Sequence, residues 1–159
     1  MIFFKGFRWY LENIYRETQL PINYRYLGDI KNMATGHCLD TLGRKNGDKL
    51  GMSLCHQKGG NQLFVYTKNK QIISNENCLD ATKVGKPVKI IRCHHLGGNQ
   101  MWDYNLRSRN LVHIPSKMCL DKPNAKDPKM PTLRRCMGRK SQRWHLKNNF
   151  EWQLPSQYE

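Results

Sequence analysis

Cys38-Leu39-Asp40 decides the fold, because the chain repeats it. It returns as Cys78-Leu79-Asp80, 40 residues on, and as Cys119-Leu120-Asp121, 41 residues after that. Each copy is followed by a second cysteine (Cys55, Cys93, Cys136), then by a glutamine two positions before an aromatic residue. These closing pairs are Gln62/Phe64, Gln100/Trp102 and Gln142/Trp144. A unit repeated at a fixed period cannot bury its apolar face alone, so the three copies are expected to pack against one another.

The 159 residues suit one domain with a modest core, since only 38% of them are hydrophobic. Six cysteines, two per repeat, read as a disulfide framework and hence an oxidising compartment. Six allow 15 pairings on paper, and the repeat symmetry selects Cys38–Cys55, Cys78–Cys93 and Cys119–Cys136. Zinc is disfavoured: there is no C-x-x-C pair, and the adjacent Cys55-His56 and Cys93-His94 are poorly placed to share one ion. The apolar Met1-Ile2-Phe3-Phe4 is interrupted by Lys5, far short of a signal sequence or a membrane span. An oxidised chain with no targeting segment of its own is expected to be a piece of a longer secretory-pathway protein or an incomplete reading frame.

The net charge is +15. Ten Lys/Arg against Asp121 and Asp127 place +8 of it in residues 116–147, with +4 in 28–74 and +3 in 75–115. Such an excess suits a polyanion site or a solvated face. The disulfide compartment argues against nucleic acid.

Phe3, Phe7, Leu11 and Ile14 form an apolar helical stripe at i, i+4, i+8 and i+11, and Trp9, Tyr10 and Tyr15 widen it, so a short helix is expected over 3–15. Pro21 ends any continuation, and 16–26 reads as linker. From Gly28 the helical period gives way to short apolar runs (51–54, 63–66, 88–91, 111–114) separated by Gly, Asn, Asp and Lys, the pattern of an all-β domain. The repeats then span about 28–74, 75–115 and 116–147, and 148–159 is an aperiodic tail.

Three copies of C-L-D, second Cys and Q-x-W/F closely resemble the ricin-type lectin β-trefoil. The stretches Cys55-His56-Gln57-Lys58-Gly59-Gly60-Asn61-Gln62 and Cys93-His94-His95-Leu96-Gly97-Gly98-Asn99-Gln100 resemble one branch, the C-terminal lectin domain of polypeptide N-acetylgalactosaminyltransferases. Trp9-Tyr10-Leu11-Glu12-Asn13-Ile14-Tyr15 is similar to the segment closing that family's catalytic domain, and Gly28-Asp29-Ile30-Lys31-Asn32 to the lectin entry. Arg16 departs from the proline usual there. The resemblance implies Mn²⁺ and UDP-GalNAc for a full-length parent only. The D-x-H motif that would hold the metal is absent, and 27 residues before Gly28 are too few for a nucleotide-sugar domain. The chain alone is expected to need no cofactor and to transfer no sugar.

For binding, the resemblance assigns roles to the Asp of C-L-D, the residue after the second Cys, and the Asn of G-G-N-Q. A galactose-type sugar offers vicinal hydroxyls that a carboxylate accepts by charge-assisted bonds, an amide can bridge, and a C–H face suits an apolar platform. The first repeat carries Asp40, His56 and Asn61, with Ser53 where the family often has an aromatic platform. The second carries Asp80, His94 and Asn99, with Ile91 at the platform position. The third keeps Asp121 but has Met137, Ser141 and Arg134, and reads as disabled. Gln62, Gln100, Gln142, Phe64, Trp102 and Trp144 recur in all three units, including the disabled one, and so read as scaffold; the two indoles need buried partners. The expected function is a lectin module for GalNAc on mucin-type O-glycopeptides, within a Golgi-lumenal transferase that starts O-glycosylation. The alternative is an acidic-glycan or polyanion site on Arg134, Arg135, Arg139, Lys140 and Arg143.

Overall fold

The structure, a computed structural model, describes residues 24–123 and 130–146. The expected helix over 3–15, most of the linker, and the tail lie outside them. Within them the three Cys-Leu-Asp stretches form strands that pack the same way. Leu39, Leu79 and Leu120 are fully buried in the core, while the Cys and Asp on either side of each leucine share the other face of the strand.

The strands in chain order are β1 (Tyr24–Gly28), β2 (Ile30–Asn32), β3 (His37–Asp40), β4 (Gly51–Leu54), β5 (Phe64–Thr67), β6 (Ile72–Ser74), β7 (Asn77–Asp80), β8 (Lys89–Arg92), β9 (Trp102–Tyr104), β10 (Leu111–His113), β11 (Met118–Asp121), β12 (Thr132–Arg134) and β13 (Trp144–Leu146). They pair antiparallel in three sheets, ordered β1-β5-β6-β7-β8, β12-β11-β10-β9 and β13-β2-β3-β4. Each Cys-Leu-Asp strand lies against the strand leading to the second cysteine. Asp40 faces Gly51 and Cys38 faces Ser53; Asp80 faces Lys89 and Cys78 faces Ile91; Asp121 faces Thr132 and Cys119 faces Arg134. This is the expected all-β trefoil.

One disulfide closes each unit, Cys38–Cys55, Cys78–Cys93 and Cys119–Cys136, as repeat symmetry predicts. Each ties a Cys-Leu-Asp strand to the end of the facing strand, and each is worth roughly 3 kcal/mol for loops of this length in the chain-entropy account. The core gathers Leu39, Leu79 and Leu120 with Phe64, Trp102 and Trp144, and with Leu50, Val88 and Leu133 from the hairpins. The two indoles find the partners they need. Trp102 Nε1–H donates to the Leu79 carbonyl and Trp144 Nε1–H to the Leu120 carbonyl, at 2.9 Å each.

The repeats are stitched to one another. Tyr66 Oη–H donates to the Trp102 carbonyl at 3.0 Å, and Tyr104 Oη–H to the Trp144 carbonyl at 2.7 Å. The ring closes when β13 pairs with β2, setting Leu146 opposite Ile30. At the other end of the units the hairpin loops interlock: Leu50 N–H donates to the Val88 carbonyl and Val88 N–H to the Pro131 carbonyl. Among the described residues β1 (Tyr24–Gly28) already lies ahead of the Gly28 start expected from the sequence. Tyr26 accounts for the difference, since its ring packs on Tyr66 and edge-on to Tyr104, with centroids 6.5 and 6.0 Å apart, and holds this segment against β5.

Candidate functional site

Each Cys-Leu-Asp strand presents its carboxylate to a short 3-10 turn that ends in glutamine: Gly60–Gln62, Gly98–Gln100 and Lys140–Gln142. The paired glycines of the first two turns have a structural cause. Gly59 and Gly60 sit at φ of 74° and 59°, and Gly97 and Gly98 at 76° and 63°, a left-handed path that side chains resist. The turn is then pinned from behind, because Thr41, Ala81 and Lys122, each the residue after the Asp, donate their N–H to the carbonyls of Asn61, Asn99 and Ser141.

The glutamine closing each turn does more than fill space. Its Nε2 donates to the carboxylate: Gln62 to Asp40 at 3.0 Å, Gln100 to Asp80 at 3.0 Å, and Gln142 to Asp121 at 3.1 Å. Its Oε1 accepts the N–H of the residue after the second cysteine, namely His56, His94 and Met137. One buried amide thus fixes the carboxylate and the neighbouring side chain together. From the sequence these glutamines read as scaffold, because recurrence alone does not distinguish a filler from a clamp.

His56 and His94 are exposed and share one geometry. Lys58 N–H donates to His56 Nδ1 and Leu96 N–H to His94 Nδ1, both at 3.0 Å. That assigns the ring proton to Nε2, which is then a donor for a ligand oxygen. Asn61 and Asn99 stand exposed on the adjacent turns. Each of the first two repeats therefore carries a carboxylate, an imidazole and an amide around one glutamine-closed turn. The third keeps the clamped Asp121, but Met137 and Ser141 replace the other two groups, and Arg134 lies on the same face as the carboxylate.

The first two repeats are not equivalent. In the first, Oδ1 of Asp40 accepts the Leu42 N–H at 2.7 Å, while Oδ2 accepts from both Gln62 and the Ser53 hydroxyl. Ser53 thus occupies the same carboxylate oxygen that Gln62 clamps. In the second, Asp80 accepts only from Gln100 among the described residues, and Ile91 offers its side chain where Ser53 stands in the first.

His113, which the sequence reading did not single out, supports the second turn. It is buried, donates through Nε2 to the Asn99 carbonyl at 3.0 Å, accepts at Nδ1 from Ser116 Oγ at 2.8 Å, and packs 5.0 Å from the Trp102 ring. Burial pushes its pKa below the usual histidine range, against the opposing pull of the Asn99 carbonyl and the Asp80 charge. Its only sequence cue was a histidine in an apolar run, which is usually core.

A cavity of about 390 Å³ opens on the other flank of the second turn, lined by Lys70, Gln71, His95 and Gln100 among others. No carboxylate lines it, and Gln71 Nε2 already bonds His95 Nδ1 at 3.2 Å. Asp29, Cys38 and Cys55 cluster within 4.8 Å, but both sulfurs are in a disulfide, so the trio offers a metal one carboxylate and no thiolate. The described residues hold no donor set fit for Mn²⁺.

A threefold all-β scaffold, closed by one disulfide per repeat and carrying one glutamine-clamped carboxylate in each, defines a lectin-type trefoil. Residues 26–144 match the family described as the ricin-type beta-trefoil lectin domain, and the chain belongs to that family. It is 47% identical over 144 residues to human polypeptide N-acetylgalactosaminyltransferase 13, covering 91% of this chain and 26% of that protein. To human N-acetylgalactosaminyltransferase 7 it is 32% identical over 122 residues, covering 74% of this chain and 18% of the relative. The chain therefore spans about a quarter or less of the relatives it matches. Among solved structures, GalNAc-T7 with UDP, GalNAc and Mn²⁺ superposes with a TM-score of 0.71 at 29% identity, over 89% of this chain and 26% of that one. An agglutinin from Abrus precatorius shares the fold with a TM-score of 0.71 at 21% identity, over 82% of this chain and 51% of that one.

Proposed function

We propose that this chain is a carbohydrate-binding module that holds GalNAc on mucin-type O-glycopeptides, chiefly through its second repeat. Asp80 carries the reading: a clamped carboxylate with an oxygen still available, beside Ile91, the Nε2 donor of His94 and the amide of Asn99. Asp80 accepts two sugar hydroxyls, His94 and Asn99 bond the next oxygens, and Ile91 meets the C–H face. Asp40, His56 and Asn61 form a weaker copy. A monosaccharide buries little surface, so each site alone binds in the high-micromolar to millimolar range, and two sites on a multiply glycosylated mucin gain by avidity.

The resemblance to polypeptide GalNAc-transferases supports a place for the module in such an enzyme of the Golgi lumen, where it would hold glycopeptide for a catalytic domain that the described residues do not contain. No helix among the described residues is long and apolar enough to cross a membrane. The test is a titration with a GalNAc-glycopeptide. Asp80→Ala lowers affinity about tenfold or more, Asp40→Ala lowers it less, and the double variant removes competable binding. Undiminished binding by the double variant overturns the assignment, and sugar transfer by the isolated chain overturns the division of labour.

A second reading rests on the third repeat, where Arg134, Arg135, Arg139, Lys140 and Arg143 are all exposed. There the module would hold acidic polysaccharide by charge. Such binding falls steeply with salt and ignores free GalNAc.

A further inference from the structure

Three residues line up across three neighbouring strand segments beside the second carboxylate. Asp80 of β7 faces Lys89 of β8, and Lys89 in turn bridges antiparallel to Lys49 on the first hairpin. Facing residues of an antiparallel pair send their side chains to the same side. The flanking bonds, Leu50 N–H to the Val88 carbonyl and Ile90 N–H to the Asp48 carbonyl, mark Lys49 and Lys89 as a narrow pair with its side chains close together. Both lysines are exposed, and neither makes an ion pair among the described residues, although Asp80 is across the strand from one of them. Two like charges held directly opposite are unfavourable, and an anion between them relieves that. The row is specific to this repeat: Gly51 and Thr132 stand where Lys89 does, and a Cβ on Gly51 would clash with the Leu42 side chain.

We infer that the second-repeat site also reads an anionic substituent on the glycan, a sulfate ester or a sugar carboxylate, which Lys89 and Lys49 bind while Asp80 holds the hydroxyls of the GalNAc of that glycan. The inference rests on the lectin reading above. Lys89 is a specificity residue here, and the preferred ligand is an acidic rather than a neutral O-glycan.

Three synthetic glycopeptides test it at low and physiological salt: one with unmodified GalNAc, one with sulfated GalNAc, and one with sialic acid linked to the GalNAc. The native chain should bind one or both charged forms about fivefold tighter than the neutral one, and Lys89→Ala should erase that advantage while leaving neutral binding unchanged. Which charged form gains the advantage identifies the anion. If neutral GalNAc binds through Asp80 but neither charged form gains, or the gain survives Lys89→Ala and Lys49→Ala, the inference fails and the lectin reading stands. If charged forms bind equally well to Asp80→Ala, the lysines act without the sugar site and the inference fails. If no glycopeptide binds, both readings fall.

Discussion

Asp40 and Asp80 occupy the same position in successive repeats, yet different neighbours hold them. Ser53 and the Leu42 N–H engage Asp40 on both oxygens, whereas Asp80 answers only to Gln100 among the described residues. Relieving that competition should repair the first site. Ser53→Ala is expected to strengthen first-repeat binding about fivefold, the worth of one net hydrogen bond, when measured in an Asp80→Ala background where only that site reports. Unchanged or weaker binding there would mean that Ser53 is not what limits Asp40. The sequence marked position 53 as a missing platform, because the family comparison concerns apolar surface. It could not show that a hydroxyl at that register position reaches back to the carboxylate, since this depends on Ser53 lying opposite Cys38 and so beside Asp40 on one face.

The glutamine-closed turn separates stability from recognition. Gln100→Ala strands a buried carboxylate and the His94 N–H, and should destabilise the domain by about 1–3 kcal/mol while abolishing most glycan binding. Gln142→Ala removes the same clamp from the third repeat and should show a comparable loss of stability by chemical denaturation with binding intact. The same turn predicts a pH response. His113 is held neutral by burial, so its folded-state pKa is below its unfolded value. Its stabilising contribution is complete above the ordinary histidine pKa of about 6.5 and is lost as pH falls through the lower folded value. The midpoint of thermal unfolding should drop between pH 7 and pH 5 by more in the native chain than in His113→Gln; parallel curves would put the acid sensitivity elsewhere. Strand positions and disulfide pairing were legible in the repeat, because periodicity and cysteine count constrain them directly. The clamp and His113 were not, because each joins side chains whose proximity comes only from the assembled turn.

The molecule as a whole is held by units that are locally closed and globally interlocked. Each disulfide spans 15 or 17 residues within its own repeat, so reduction should lower stability by roughly 3 kcal/mol per bridge, read as a fall in the unfolding midpoint with reductant present; no shift would mean the core suffices alone. Between units the links are of another kind: Tyr66 to the second repeat, Tyr104 to the third, and finally β13 zipped onto β2. That last pairing joins Trp144 to Asn32 across nearly the full length of the domain, so it has a consequence for the order of events during synthesis. In an oxidising compartment, the first and second bridges can form while the third repeat is still on the ribosome. The barrel cannot shut until residues 144–146 arrive. Until then the edge of β2 is unpaired, and a nascent chain stalled in that interval would be a client for chaperones rather than a lectin.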